Sequence, residues 1–277
     1  MNFTLTEEER SIGKLEQEKL DTMVDLVKAN GYVVIENVIP KEQIAEVRAA
    51  FDPLFDEFIA RKGYNTGKNR AQMFLPFQAP YNDDNIVANP IAMQIIDRVL
   101  GDDHRCIYFA SDTPMPGADY QNVHCDVMPL FDDLSIPLPI YNLVLNIPLV
   151  DVTEENGPLE IWPGGTHHNA DRANHDTLDG SVNPHLHIVR AAPYMSSVRV
   201  LMPAGSIVIR DIRVWHRGTP NVSDDRRTNL AFIYAKSWYG YGSSISIPQE
   251  TYDGMSERAK RLFRYEKIGF PARQPWE

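Results

Sequence analysis

The chain carries only two cysteines, Cys106 and Cys125, in 277 residues. That is too few for a disulfide framework at this length, so both are expected as buried free thiols in a reducing compartment. No stretch approaches the roughly 18 uninterrupted apolar residues that a membrane span needs. The first ten residues are acidic and lack the apolar segment of a secretory signal, which points to a cytoplasmic protein. Basic charge is also scarce, with 27 Lys and Arg against 38 Asp and Glu and a net charge of −11. Such a balance repels a phosphate backbone, so nucleic acid is excluded as a partner. No basic cluster interrupts the acidity, and a substrate on a polyanionic carrier such as coenzyme A finds no docking patch. A small free molecule, neutral, zwitterionic or cationic, fits better. There is no phosphate-cradling Gly-rich loop, no Ser nucleophile elbow, no recognisable Cys/His catalytic pair, and no internal repeat or linker.

At 43% hydrophobic content the chain can bury a full-sized core, and one domain over 1–277 is expected. Helical support occupies 1–104. An amphipathic helix is predicted over Lys14–Lys28 with a stop at Asn30-Gly31, then a buried strand over Tyr32–Ile39. A second helix carries Ile44, Val47, Phe51, Leu54 and Phe58, with an interruption expected at Pro53. A third opens at Asn89-Pro90 and stops at Gly101. From about 105 to 240 the pattern changes to short β-branched and aromatic runs: Cys106–Ala110, Tyr141–Val150, Leu159–Trp162, Val198–Met202, Ile207–Trp215 and Leu230–Ala235. Turn residues such as Asn156-Gly157 and Pro163-Gly164-Gly165 separate them. The fold class is mainly β with flanking helices, a sandwich or barrel followed by a short helical tail. The segment 169–193 is long for a connection and is either a functional loop or a surface excursion.

In Gln121-Asn122-Val123-His124-Cys125-Asp126 an imidazole and a carboxylate stand two apart in extended chain, so they leave the same face and can share one metal. Cys125 points the other way, as a packing residue. The third ligand is His216, 92 residues beyond His124, at the end of the run Gly205–His216. Two imidazoles and one carboxylate form the facial triad that favours Fe(II) and leaves coordination positions open for a bidentate 2-oxo acid and dioxygen. Arg227, eleven residues past His216, opens the returning strand and offers a fixed fork of N–H donors for the distal carboxylate of 2-oxoglutarate. Strand alternation sends Arg226 to the opposite face as a surface charge.

These segments together resemble the phytanoyl-CoA dioxygenase family of Fe(II)/2-oxoglutarate oxygenases. The likeness runs from Gly31–Pro40 through Gln121-x-x-His124-x-Asp126, Asp151–Leu159 with its Asn-Gly turn and Trp162–His167, to His216–Asn221 and Arg227. It implies a double-stranded β-helix (jelly-roll) core. It also implies Fe(II) on His124, Asp126 and His216, with 2-oxoglutarate and O2 as co-substrates on Arg227 and Gln121. The implied reaction oxidises an unactivated C–H bond and releases succinate and CO2, by hydroxylation or by hydroxylation-triggered dealkylation; desaturation and cyclisation use the same ligands. Asp126 fills the position a halogenase would keep small, so chlorination is not expected. Pro-Gly-Gly-Thr-His stands where the family commonly has Pro-Gly-Ser-His, which leaves Thr166 and His167 without an assigned role. His185-Leu186-His187 has no carboxylate after it and is read, with His104, His167, His168 and His175, as surface or hydrogen-bonded histidines instead of a second metal site. Phe74 and Phe77, with Tyr81, are placed in a loop between helices. Together with Trp238, Tyr239 and Tyr241 they are expected to form the lid and wall of the substrate site. The competing reading is a non-redox lyase or isomerase, or a non-catalytic metal-binding barrel, built on the same ligands.

Overall fold

A computed structural model describes residues 2–128, 130–131, 136–169, 177–178, 181–182, 186–240 and 245–277. His175, His185, Tyr241 and part of the segment 169–193 lie outside the described residues. The main sheet contains β1 (Asn2–Thr4), β2 (Tyr32–Glu36), β3 (Arg70–Phe74), β4 (His104–Pro114) and β5 (Asn142–Pro148). The second sheet is built on β6 (Leu159–Trp162) and β7 (Val198–Val200). Next along the chain come β8 (Ile207–Asp211), β9 (Trp215–Gly218) and β10 (Asn229–Lys236). The seven-stranded sheet runs β1-β2-β8-β5-β10-β4-β3, and the three-stranded sheet runs β9-β6-β7.

Alternation along the strands gives the large sheet two working faces. Val33, Ile35, Leu143, Leu145, Ile147, Ile207, Ile209, Leu230 and Phe232 point outward into one core. Three helices bury their apolar stripes there: α1 (Gln17–Asn30), α2 (Lys41–Lys62) and α3 (Pro90–Leu100). The opposite face packs on the small sheet, where Tyr32, Val34 and Val208 meet Ile161, Val200 and Met202. The result is a sheet-rich fold with helices on one side and an interior between the sheets on the other.

The sequence boundaries need three corrections. Residues 1–104 are not only helical support, because they supply β1, β2 and β3 to the main sheet. The third of these was missed because Arg70-Ala71-Gln72-Met73-Phe74 has no β-branched residue, and its pairing with β4 at the sheet edge is what makes it a strand. Helix α2 passes through Pro53 without ending, since Phe51, Phe55 and Phe58 on both sides of it are buried in the helical core. Tertiary burial there outweighs the lost backbone bond. Strand β2 stops at Glu36, short of Ile39, because Asn37 adopts a left-handed φ of 62°. Helix α3 matches expectation closely, with the Asn89 side chain accepting from Ile91 N at 3.0 Å and Ala92 N at 3.2 Å. Both cysteines are buried thiols outside any disulfide, and Cys125 packs with Trp162, Ile188 and Trp215 behind the ligand strand. Among the described residues no helix is long and apolar enough to cross a membrane.

Candidate metal centre

His124 and His216, 92 residues apart, are joined by reciprocal backbone hydrogen bonds of 2.9 Å, His124 N to His216 O and His216 N to His124 O. Asp126 is anchored beside them by its N–H donating to Ile212 O at 3.2 Å. The alternation that sends Cys125 backward sends both neighbours forward. His124 Nε2 lies 3.5 Å and His216 Nε2 lies 3.3 Å from Asp126 Oδ1. One donor atom from each of the three residues falls within 4.8 Å of the others, and this is the one such His/Cys/Asp/Glu group among the described residues.

These residues fit a divalent metal ion in their hydrogen bonding as well as their spacing. Facial ligands about 2.1 Å from one ion stand about 3 Å from each other, close to the separations seen. Both imidazoles use Nδ1 on a backbone carbonyl, His124 on Asn122 O at 2.8 Å and His216 on Val214 O at 2.9 Å. A carbonyl can only accept, so each Nδ1 must carry a proton. That leaves each Nε2 as the lone-pair donor facing Asp126, the second-layer bonding typical of ligating histidines.

The Pro-Gly-Gly-Thr-His segment has a structural role here. Thr166 Oγ1 donates to Trp162 O and accepts from Trp215 N at 3.3 Å, pinning β9 one residue before the ligand. His167 is fully buried, with Nε2 on Lys28 O at 3.1 Å.

Burial disfavours charge on His216 and holds its pKa below the ordinary histidine value. For His124 burial acts in the same direction, but the hydrogen bond and charge of Asp126 outweigh it and the pKa rises. Burial raises the Asp126 carboxyl, yet the charges of His216 and Arg210 and the hydrogen bonds from both imidazoles drive it well below the usual carboxylate range. Asp126 is therefore an anion before any cation arrives.

A cavity of about 300 Å³ opens from the triad into the space between the sheets. Arg227 lies along its wall, 5% exposed. Its Nε and Nη2 donate to Gly157 O at 3.2 and 2.8 Å, and its Nη2 is 3.9 Å from Asp112 Oδ2. The predicted Asn-Gly turn thus supplies the carbonyl that aims this guanidinium. Burial lowers the Arg227 pKa to about 10, partly offset by Asp112, so the group stays cationic at neutral pH and can receive a carboxylate. Gln121 also lines the cavity, with Oε1 accepting from Gly218 N at 2.8 Å.

Of the six aromatic residues expected at the lid and wall, Tyr241 lies outside the described residues, and Phe74, Phe77, Tyr81, Trp238 and Tyr239 do not line this cavity. Phe77 is 1% exposed on the helical side of the sheet, its ring 4.6 Å from Phe263 and 5.3 Å from Phe109. Phe74 ends β3 half exposed and meets the site only through its edge contact with Tyr108 at 5.3 Å. Trp238 is 65% exposed and packs, with Tyr239, against Tyr141 beyond the end of β10. Aromatic content alone says nothing about which face of a sheet a ring takes. Arg226 does turn away from the site, as alternation requires, but it is paired with Asp56 at 2.7 Å on α2 instead of standing free in solvent.

Strand parity places several further residues on the cavity wall: Tyr108 and Asp112 from β4, Asn146 from β5, Arg210 from β8 and Asn229 from β10. Arg210 had a readable signal. A guanidinium inside the apolar run Ile207-Val208-Ile209-Arg210 has to find a partner when that strand is buried. Its Nη2 donates to Asp126 Oδ2 at 2.6 Å.

Residues 27–229 match the family model described as phytanoyl-CoA dioxygenase (PhyH). Among curated relatives, the chain is 26% identical to "Dioxygenase af480" of Aspergillus fumigatus, covering 88% of this chain and 76% of that protein. Among solved structures it resembles the non-heme alpha-ketoglutarate-dependent carbocyclase SnoK from nogalamycin biosynthesis, with a TM-score of 0.61 and 22% identity over 80% of this chain and 84% of that one. It also resembles the epimerase SnoN, solved with Fe3+, alpha-ketoglutarate and nogalamycin RO, with a TM-score of 0.60 and 18% identity over 80% and 85% of the two chains. With a family model matching well over half its length, on the segments that build the triad and the cavity, the chain belongs to the phytanoyl-CoA dioxygenase family.

Proposed function

We propose that this chain is an Fe(II)/2-oxoglutarate-dependent oxygenase that oxidises an unactivated C–H bond of a small, carrier-free molecule by hydroxylation or hydroxylation-triggered dealkylation. Its two sheets are read as the family's double-stranded β-helix, and the chain as one domain acting in the cytoplasm. The observation that carries the reading is the convergence of His124, Asp126 and His216 at one end of a cavity whose wall also holds a buried guanidinium.

When bound, Fe(II) with 2-oxoglutarate and dioxygen supplies the oxidising power: one oxygen atom enters succinate as CO2 leaves, and the other enters the substrate. The protein's part is holding and shielding. His124, Asp126 and His216 hold the ion, with their rings fixed by the Asn122 and Val214 carbonyls. Arg227 receives the far carboxylate of 2-oxoglutarate, and Gln121 lines the same space. Val144, Val152, Leu159, Met202, Val208 and Ile233 set apolar side chains among the polar residues of the wall, which limits the water beside the triad. A non-redox lyase or isomerase has no use for a buried guanidinium placed to receive a dicarboxylate, and this favours the oxygenase over that alternative.

Anaerobic addition of Fe(II) and then 2-oxoglutarate is expected to produce a visible charge-transfer absorption. His216→Ala is expected to abolish the absorption. Arg227→Ala should retain it at saturation but weaken 2-oxoglutarate binding by about 10- to 100-fold, the loss of a charge-assisted pair. Absence of the absorption in the native protein would overturn the reading.

A further inference from the structure

Tyr108 brings to the cavity a polar group that the metal ligands do not use. It lines the cavity from β4, half-buried, and the edge contact of its ring with Phe74 at 5.3 Å fixes the direction of the phenol. The hydroxyl makes no hydrogen bond to a described residue and keeps accessible surface, so it opens into the cavity. Ala110, the next residue of β4 on that face, pairs with Ala231 on β10, and these two small side chains leave room beside the phenol. Burial and the charges of Asp112 and Asp126 push the Tyr108 pKa up, which keeps its proton in place as a donor.

Exposure grades the wall from floor to mouth. Arg227 and Asn229, at the start of β10, are 5% and 7% exposed, whereas Gln72 and Phe74 on the edge strand β3 are open to solvent. Strand β4 pairs with both β3 and β10, so Tyr108 stands between that open edge and the buried floor. The main chain of Gln72 is fixed by two hydrogen bonds of 2.9 Å to the Asn65 side chain. Its own carboxamide lines the cavity and, like the phenol, has no hydrogen-bond partner among the described residues.

The charged groups nearby are already committed. Arg210 holds Asp126 at 2.6 Å, Arg70 lies 3.3 Å from Asp112, and Arg227 is reserved for the far carboxylate of 2-oxoglutarate. What is left on the mouth side is neutral: a phenol O–H, a carboxamide, and the aliphatic Ile233 and Val144, which continue the register row of Tyr108 toward Arg210. A charged molecule placed there would lose hydration without gaining a counter-ion.

We propose that Tyr108 selects the molecule being oxidised, donating its O–H to an uncharged oxygen acceptor, a carbonyl or an ether, on a neutral and otherwise carbon-rich substrate, with the Gln72 carboxamide as a second neutral contact at the mouth. The inference rests on the oxygenase reading and narrows its substrate from any small carrier-free molecule to a neutral oxygenated one.

The test titrates the full-length protein in its Zn(II) form, saturated with 2-oxoglutarate, with acetophenone, ethylbenzene, benzoate and benzylamine, probes of similar shape that differ in charge and in the acceptor oxygen. Ligand-observed NMR reads the binding. Acetophenone is expected to bind at least about tenfold more tightly than either charged probe. Tyr108→Phe removes one oxygen and breaks no contact within the protein. It is expected to weaken acetophenone by about 3- to 10-fold, the scale of one neutral hydrogen bond, and to leave ethylbenzene and 2-oxoglutarate within about twofold of native. Should Tyr108→Phe fail to fold, Tyr108→Leu is read by the ratio of acetophenone to ethylbenzene affinity, which is expected to fall by about the same factor.

Three results overturn the proposal: a native protein with no preference for acetophenone over the charged probes, an unchanged acetophenone-to-ethylbenzene ratio in the folded variant, or a loss that falls on 2-oxoglutarate instead of the ketone. A native protein whose Fe(II) form gives no charge-transfer absorption with 2-oxoglutarate overturns the oxygenase reading itself, so the two failures are distinguishable.

Discussion

At the scale of single residues, the site depends on side chains whose orientation is set by backbone carbonyls. Asn122 O and Val214 O turn the two imidazoles, and Gly157 O turns Arg227. Gly157 itself is held at a φ of 82°, and a Cβ there would stand 3.1 Å from Thr219 O. Gly157→Ala therefore meets left-handed strain and a backbone contact together. It is expected to lower unfolding stability by about 1–2 kcal/mol and to weaken 2-oxoglutarate binding by displacing the carbonyl that aims Arg227. Gly254, where a Cβ would meet nothing within 4 Å, is the control, and Gly254→Ala should leave both quantities unchanged or slightly raise stability. Chemical denaturation and the anaerobic titration measure the two effects. A Gly157→Ala protein as stable and as tight-binding as native would show that the turn's conformation does not matter to the site.

At the scale of elements, what could be read from the chain depended on whether a local pattern or a distant neighbour decides the structure. Strand β6 and helix α3 carry their own signals, a bounded apolar run in one case and an Asn-Pro start with a Gly stop in the other. The period of two around Cys125 was sufficient to put His124 and Asp126 on one face. The pairing with His216 could be proposed only from chemistry, because the bridge that joins them spans 92 residues and leaves no local trace. Strand β3 exists because β4 lies beside it, and α2 survives Pro53 because its phenylalanines are buried, so neither was legible in its own residues. The aromatic residues failed as site markers for a related reason. Phe77 and Trp238 were assigned by type, whereas their place depends on sheet face and packing. Arg210 lay in plain view within an apolar run, and asking which anion a buried guanidinium must find would have led to Asp126.

At the scale of the whole molecule, two buried histidines away from the metal triad link stability to pH. Burial lowers the pKa of His104 below 6.5 despite the Gly101 carbonyl and Asp97, and burial likewise lowers that of His167 despite Asp211. The unfolded chain takes up these protons first as the solution is acidified. Their contribution is thus complete above about pH 6.5 and is lost as pH falls below that value toward the folded pKa. Denaturant midpoints of the metal-free protein should accordingly be lower at pH 5.5 than at pH 7.5. Replacing His104 and His167 with Gln should flatten the difference, and a midpoint independent of pH across this range would remove both residues from the account.

The same molecule-wide view makes the triad a property of the fold, since its three donors come from two distant segments that meet only through the backbone bridge between His124 and His216. Equilibrium binding of Fe(II) under anaerobic conditions to the native protein and to His124→Ala, Asp126→Ala and His216→Ala tests this most directly. One ion per chain is expected, with each substitution weakening it by at least about tenfold while the fold is retained. Native affinity in any one of the three folded variants would mean that this side chain does not hold the ion, and would contradict the site described here.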